Sequence, residues 1–175
     1  MDAILARAVV GVNVINSAGG GFSMMCEIHG TQLITFRINK ARIFQPIYYA
    51  PIRQVYKTFN NKYIEVFYNG SWRPAKIIGI ASEKELYKVN KELLCSGDLI
   101  VKTPSGDKKI TELKLNEEYS VNCDKVDKID KARGPKYICS IEKTAIVSDW
   151  LFGIEFKNPE DQYYSLTNGY IISAK

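Results

Sequence analysis

Residues 63–80, "YIEVFYNGSWRPAKIIGI", have the pattern of two β-strands joined by a tight turn. Aromatic and β-branched residues recur on both sides of the turn, and such residues favour extended backbone. Asn69-Gly70 stands between them, and this dipeptide readily takes the positive φ angles that a two-residue hairpin requires. The stretch therefore predicts a β-hairpin near the middle of the chain.

Short runs of the same character continue on both sides of this hairpin. Residues 31–38, 99–113 and 149–156 are rich in β-formers, and turn residues separate them at short intervals. About ten such runs indicate an all-β, curled or barrel-like fold. The chain has 175 residues, of which 46% are apolar, so a single domain with a substantial core is expected.

One segment predicts a helix instead. In Pro51–Phe59, apolar residues recur with helical spacing on one face, and proline has the φ angle that a first helical residue needs. Tyr48 to Pro51, just before it, is apolar and is interpreted as loop packing, with a partner contact as the alternative.

The N-terminal residues 1–25 differ from the rest and are interpreted as an arm or flank. Ala3–Ile15 is apolar but is interrupted by Arg7, which disfavours a signal peptide, and it is too short to span a membrane. "SAGGGFSMM" follows and predicts a joint. We expect a cytoplasmic or virion location, no secretion, no membrane contact and free cysteines.

Charge and metal-ligand content restrict the function classes. The net charge of +5 permits contact with nucleic acid but does not require it. The densest basic run, Lys125–Lys136, is interpreted as a solvated loop rather than a nucleic-acid site. His29 is the only histidine and no CxxC pair exists, so neither a zinc site nor a cofactor is expected.

Four stretches, taken in order, resemble the blocks of a known family. They are "CEIHGTQLI" (26–34), "YIEVFYNGSWRPAKIIGIASEKELYKV" (63–89), "LLCSGDLIVKTPSGDKKITELKLNEEY" (93–119) and "WLFGIEFKNPEDQYYSLTNGYIIS" (150–173). The chain is similar to the Hint (Hedgehog/intein) superfamily, and to phage-type inteins within it. The resemblance implies a horseshoe-shaped all-β domain over residues 26–175. It also places the Lys-rich loop, residues 121–137, where inteins carry an endonuclease insert or a split point.

The resemblance implies a cysteine nucleophile without the acid–base residues that assist it. An intein begins by forming a thioester, and thiolate sulfur suits that attack. Cys26, which follows Met25, stands at the nucleophile position. In the second block Ser96 replaces the usual threonine, Asp98 is retained, and Leu99 occupies the place of the histidine that protonates the scissile amide.

The closing blocks resemble those of inteins but lack their reactive groups. Gly153 stands where an aspartate is usual, and Gln162 and Ser173 stand where histidines are usual. Ala174 occupies the position of the cyclising asparagine, and Lys175 that of the following nucleophile. A general acid or base contributes on the order of 10² to 10⁴ in rate, so the loss of several predicts no splicing.

The leading hypothesis is a catalytically inactive Hint-like domain. It would serve as a structural or protein-binding module, in a viral or phage assembly by analogy, with partners contacted through residues 1–25. One alternative is a self-processing domain, in which Cys26 forms a thioester with Met25 and Ala174 stalls the reaction. A second alternative is a basic β domain that binds nucleic acid.

Several single residues have two interpretations. Cys26 is a reactive thiol or an inert remnant, and the remnant is favoured. His29 activates Cys26 or is an exposed loop residue, and the loop is favoured. Trp72 and Trp150 stack on single-stranded nucleic acid or pack within the domain, and packing is favoured. The remaining cysteines, Cys95, Cys123 and Cys139, are expected within strands as small core residues.

Overall fold

The computed structural model describes residues 25–38, 46–121, 135–147 and 150–175. Most of the predicted arm (1–25) and of the Lys-rich loop (121–137, with Cys123) lies outside the described residues. Within these ranges there are fifteen strands, one α-helix and one 3₁₀ turn. The strands are β1 (Ile28–His29), β2 (Leu33–Arg37), β3 (Tyr48–Pro51), β4 (Ile64–Tyr68), β5 (Ser71–Ala81), β6 (Glu85–Val89), β7 (Leu93–Ser96), β8 (Ile100–Thr103), β9 (Gly106–Lys109), β10 (Glu118–Tyr119), β11 (Lys136–Tyr137), β12 (Ile141–Val147), β13 (Trp150–Phe156), β14 (Tyr163–Ser165) and β15 (Ile171–Ser173); the helix is α1 (Ile52–Thr58), and the 3₁₀ turn is Ile110–Glu112.

The strands form one large sheet and two smaller ones. The large sheet has the order β12-β6-β7-β1-β13-β5-β4-β2-β3, so the short strand β1 lies at its centre. A second sheet has the order β14-β15-β8-β9, and β10 pairs with β11. A bridge between Ile34 and Leu166 joins the first two sheets. The all-β prediction is confirmed.

The central hairpin forms as its sequence predicts. β4 and β5 pair from Tyr68↔Ser71 to Ile64↔Ala75. Asn69 and Gly70 both have positive φ angles, 50° and 79°. This geometry matches the right-handed twist of the two strands, so the turn residues fix the register of the hairpin.

The main hydrophobic core lies between the large sheet, the second sheet and α1. Its members come from distant parts of the chain, among them Ile28, Ile77, Leu99, Tyr164 and Ile172. A small separate cluster contains Leu86, Leu94 and Leu151. The centre of the large sheet therefore contacts apolar side chains in both clusters.

The helix forms, but its start differs from the prediction. Pro51 is the residue that precedes the helix, with φ −57° and ψ 136°, and the first helical residue is Ile52. Ile52 and Val55 are buried, as the spacing predicts. The interpretation of Tyr48–Pro51 as a loop is wrong, because these residues pair with β2 and form an outer strand of the large sheet.

Two further predictions need correction. Cys139 is exposed and lies between β11 and β12, so it is not a core residue. His29 belongs to β1 and pairs with Leu151, so it is not in a loop. Among the described residues, no helix combines the length and the apolar character that crossing a membrane requires.

Candidate reaction centre

The predicted centre has two parts that different strands position. The N-terminal half-site consists of Cys26 before β1, Ser96 at the end of β7, Asp98 and Leu99 in the following turn, and Gly153 in β13. The C-terminal half-site consists of Gln162 before β14, Ser173 at the end of β15, and Ala174 after it.

Gly153 lies directly under the peptide bond that an intein would cleave. A Cβ atom added at Gly153 would overlap the carbonyl oxygen of Met25, and it would lie 2.9 Å from the carbonyl carbon of Met25 and 3.3 Å from the Cα atom of Cys26. The backbone of Met25 therefore occupies the space in which any side chain at position 153 would begin.

The Cys26 side chain is enclosed. The residue has no exposed surface. Burial, with a smaller contribution from the nearby Glu27 carboxylate, raises the pKa of the Cys26 thiol from 9.0 to about 12, although Lys84 opposes the shift. Since the thiolate is the nucleophilic form, this environment suppresses the reactivity that the position implies.

Leu99 and Ala174, one from each half-site, both belong to the main apolar core. β8 and β15 pair at Val101↔Ile172. Continued by two residues, the same antiparallel register sets Leu99 opposite Ala174. Leu99 is 1% exposed, and both residues belong to the main core. The position at which the resemblance implies a histidine is thus part of the main core.

Glu27, Ser96, Lys84 and Asp98 form an ionic network beside Cys26. The Ser96 hydroxyl donates to Glu27 Oε1 at 2.7 Å, and Lys84 Nζ donates to Oε1 and Oε2 at 2.8 and 3.1 Å. Lys84 Nζ also donates to Asp98 Oδ2 at 3.0 Å. The Lys84 hydrogen bond holds the pKa of Asp98 below its usual value. Burial tends to lower the pKa of Lys84, but its two carboxylate partners leave it raised overall.

The C-terminal half-site is polar and held by hydrogen bonds. The backbone N–H of Ala174 donates to the carbonyl oxygen of Gln162 at 2.7 Å. The Gln162 amide donates to the Ser173 hydroxyl at 3.4 Å and to Asp107 at 3.5 Å, both long contacts. Ser173 is 1% exposed, and its hydroxyl accepts the N–H of Lys175. Gln162, Ser173 and Ala174 thus lie together, as the resemblance implies.

Three residues near this centre were not singled out from the sequence. Glu27 gave one signal, an acidic residue within an otherwise apolar stretch. Lys84 gave none, because it lies among other charged residues. Tyr164 is fully buried in β14, and burial raises its pKa, with contributions from Cys26 and Glu27. Only the fold brings these groups together.

The other singled-out residues lie apart from the thiol chemistry. His29 Nδ1 is 2.7 Å from the Thr31 hydroxyl, so the imidazole is hydrogen-bonded to a neighbour in its own turn. Trp72 lies under the Arg37 guanidinium, and Trp150 packs near Tyr56. Trp150 pairs with Ala81 on β5. Trp72 and Ala81 are nine residues apart on that strand, so their side chains lie on opposite faces of the sheet. The two tryptophans do not form one stacking surface.

Comparison with known proteins identifies the fold. No family model and no curated protein matches the sequence. The VidaL intein superposes with a TM-score of 0.66 at 12% identity, over 85% of this chain and 97% of the intein. The transcription factor IIB Mvu mini-intein gives a TM-score of 0.62 at 10% identity, over 85% and 99%. This chain has the Hint fold.

A third structure supports the same assignment. The DnaB intein from Synechocystis sp. PCC 6803 gives a TM-score of 0.59 at 17% identity, over 86% of this chain and 99% of the intein. The fold that the four stretches imply is therefore confirmed. Identities this low establish the Hint fold and not the reaction, so the chemistry must be judged from this chain's own residues.

Proposed function

We propose that this chain is a Hint domain that does not splice and that serves as a structural, protein-binding module. The observation that carries the proposal is the position of Met25 on Gly153. An aspartate at position 153, which the intein resemblance implies, is incompatible with the present position of the Met25 carbonyl. The backbone has taken the space of a reactive side chain.

The low expected reactivity of the Cys26 thiol supports the proposal. With a pKa of about 12, only about one Cys26 side chain in 10⁵ is a thiolate at pH 7. No imidazole assists it, because Leu99 fills the corresponding position and packs in the core. Attack on the Met25 carbonyl would therefore need a nucleophile that is almost absent and a proton donor that leucine does not supply.

The second half of the splicing reaction lacks its reactant. Cyclisation consumes a side-chain amide, and Ala174 has none. Ser173 and Gln162 hold the local backbone by hydrogen bonds, but a hydroxyl and a primary amide do not ionise near neutral pH and so do not replace a histidine as general acid or base. Release of the C-terminal flank has no mechanism here.

Two features favour a protein-binding role. The arm of residues 1–25 carries the apolar stretch Ala3–Ile15, which suits strand addition to a partner's sheet. In addition, the outer strands of the large sheet bear exposed apolar side chains. These are Tyr48 and Tyr49 at one edge, and Ile146 and Val147 at the other. Exposed apolar surface at a sheet edge is a frequent site of protein contact.

Intact-mass spectrometry of the full chain with dithiothreitol or hydroxylamine tests the loss of splicing. We expect a single species at full mass under conditions in which an active mini-intein is cleaved. A pair of fragments ending at Met25 and beginning at Cys26, absent in a Cys26→Ala control, would instead support the self-processing alternative.

The binding role has its own test. A protein complex recovered with the full chain should be lost when the chain is shortened to residues 25–175. Quantitative mass spectrometry of the two recoveries gives the comparison. Equal recovery would assign the contact to the Hint domain and would contradict a role for the arm.

A further inference from the structure

The ionic network beside Cys26 is not needed by a centre that has lost its reaction. The Glu27 side chain is only 8% exposed, yet it is paired on both carboxylate oxygens by Lys84. The same ammonium group reaches Asp98 in the turn that carries Leu99. A single lysine therefore bridges a buried and an exposed carboxylate.

The network joins three separate chain segments. Glu27 directly follows Cys26, and its carbonyl oxygen accepts the N–H of Ser96 at 2.8 Å. Asp98 belongs to the turn between β7 and β8, and its N–H donates to the Ser96 hydroxyl at 3.1 Å. Lys84 comes from the short connection between β5 and β6, and its side chain is 43% exposed. The connection, the turn and the approach to β1 are thus held together at one cation.

We propose that Lys84 is a latch that keeps the Cys26 thiol closed to solvent reagents. With the latch in place, Glu27 is neutralised in a buried position and the chain around Cys26 stays packed. Without it, Glu27 would be a buried carboxylate with no cationic partner, and an unpaired buried charge is costly. The chain then relieves that cost by opening locally to hydrate Glu27, and the opening exposes Cys26.

The surrounding packing favours a local rather than a global opening. Leu86, Leu94 and Leu151, which belong to β6, β7 and β13, form a small cluster separate from the main core. Leu86 stands opposite Ser96, whose hydroxyl donates to Glu27, so the network lies beside this small cluster. A region that few buried apolar contacts hold opens at lower free energy than the whole domain. The latch controls access to a thiol and does not depend on whether the domain binds a partner.

Site-resolved alkylation of the full chain with N-ethylmaleimide at pH 8 tests the latch. We expect Lys84→Met to raise the rate at Cys26 at least about tenfold, since the pair is partly buried. Lys143→Met is the matched control, because Lys143 forms a similar 2.9 Å ion pair with Glu85 on the surface. The control should leave the rate at Cys26 unchanged. An unchanged rate in Lys84→Met would overturn the proposal.

The direction of the expected change in alkylation rate distinguishes greater exposure of Cys26 from a change in its pKa. The Lys84 charge lowers the pKa of Cys26, so its removal would by itself slow a reaction that needs the thiolate. A faster reaction therefore reports exposure. Lys84→Arg, which keeps a cation between the carboxylates, should restore most of the protection.

Cys95 distinguishes local from global opening. It is fully buried in β7, next to β1, and belongs to the main core. A higher alkylation rate at Cys26 that leaves Cys95 protected from alkylation supports the latch. Asp98→Asn removes only the exposed partner and serves as a milder variant. Equal rises at Cys26 and Cys95 in both Lys84→Met and Asp98→Asn would show a loss of overall stability and would overturn the proposal.

Discussion

The N-terminal and C-terminal half-sites both lack residues that the intein resemblance implies, but they differ physically. Around Cys26 the space is filled: the Met25 backbone lies on Gly153, and Leu99 packs in the core. Around Ala174, which is buried, the neighbouring groups are polar, and one long hydrogen bond links Gln162 to Ser173. One half is sterically closed, whereas the other lacks functional groups.

This difference determines which half could be restored by substitution. A missing functional group can be supplied by one side chain if there is room for it. A closed site cannot, because the backbone or the core must first move. We therefore expect substitutions in the N-terminal half-site to reduce the stability of the whole domain, and substitution of Gln162 in the C-terminal half-site to have a small effect.

The largest effect is expected at Gly153. Gly153→Ala should lower the free energy of unfolding by about 3 kcal/mol, the upper range for overpacking, because the new methyl group overlaps the Met25 carbonyl. Urea denaturation followed by circular dichroism measures it. Gly106→Ala is the control: that site has a φ of +124° but nothing within 4 Å, so its cost is conformational. A smaller loss of unfolding free energy for Gly153→Ala than for Gly106→Ala would contradict a closed site.

Leu99 should give an effect of similar size. Leu99→Ala removes a side chain that is 1% exposed, and such truncations cost about 2 to 4 kcal/mol. Leu99→His, which restores the usual intein residue, should also destabilise, because it places a polar ring in an apolar site. Equilibrium unfolding of both variants checks this. Full stability of Leu99→His would show that the histidine position is still open.

Gln162 should give the smallest effect. Its two side-chain contacts are 3.4 and 3.5 Å long, close to the limit for a hydrogen bond. Gln162→Ala should therefore cost less than about 0.5 kcal/mol. The same unfolding measurement applies. A loss comparable to that of Leu99→Ala would remove the proposed difference between the half-sites.

The sequence predicted the regular parts of the fold well for local reasons. Asn69-Gly70 specifies its hairpin through positive φ angles alone, and the apolar spacing of α1 identifies Ile52 and Val55 as buried. Tyr48–Pro51 was misjudged because an outer strand pairs on one side only, and its exposed tyrosines resemble those of a loop.

The candidate site was predictable only where the intein resemblance supplies positions. Cys26, Gly153 and Ala174 could be aligned by motif, but the contact between Gly153 and Met25 depends on how β1 enters the sheet. Lys84 and Glu27 are 57 residues apart in sequence, so no local pattern reveals their ion pair. Long-range pairing of charges is decided by the fold.

The accessibility of Cys26 is the most direct measure of a closed N-terminal half-site. A pKa raised from 9.0 to about 12 favours the protonated thiol, so its stabilising contribution is present below pH 9 and is lost as the pH rises towards 12. Site-resolved alkylation of the native chain from pH 7 to 8 should label the exposed Cys139 promptly and leave Cys26 about a thousandfold slower than an unshifted thiol. Labelling of Cys26 at the rate of Cys139 across this range would contradict the closed site.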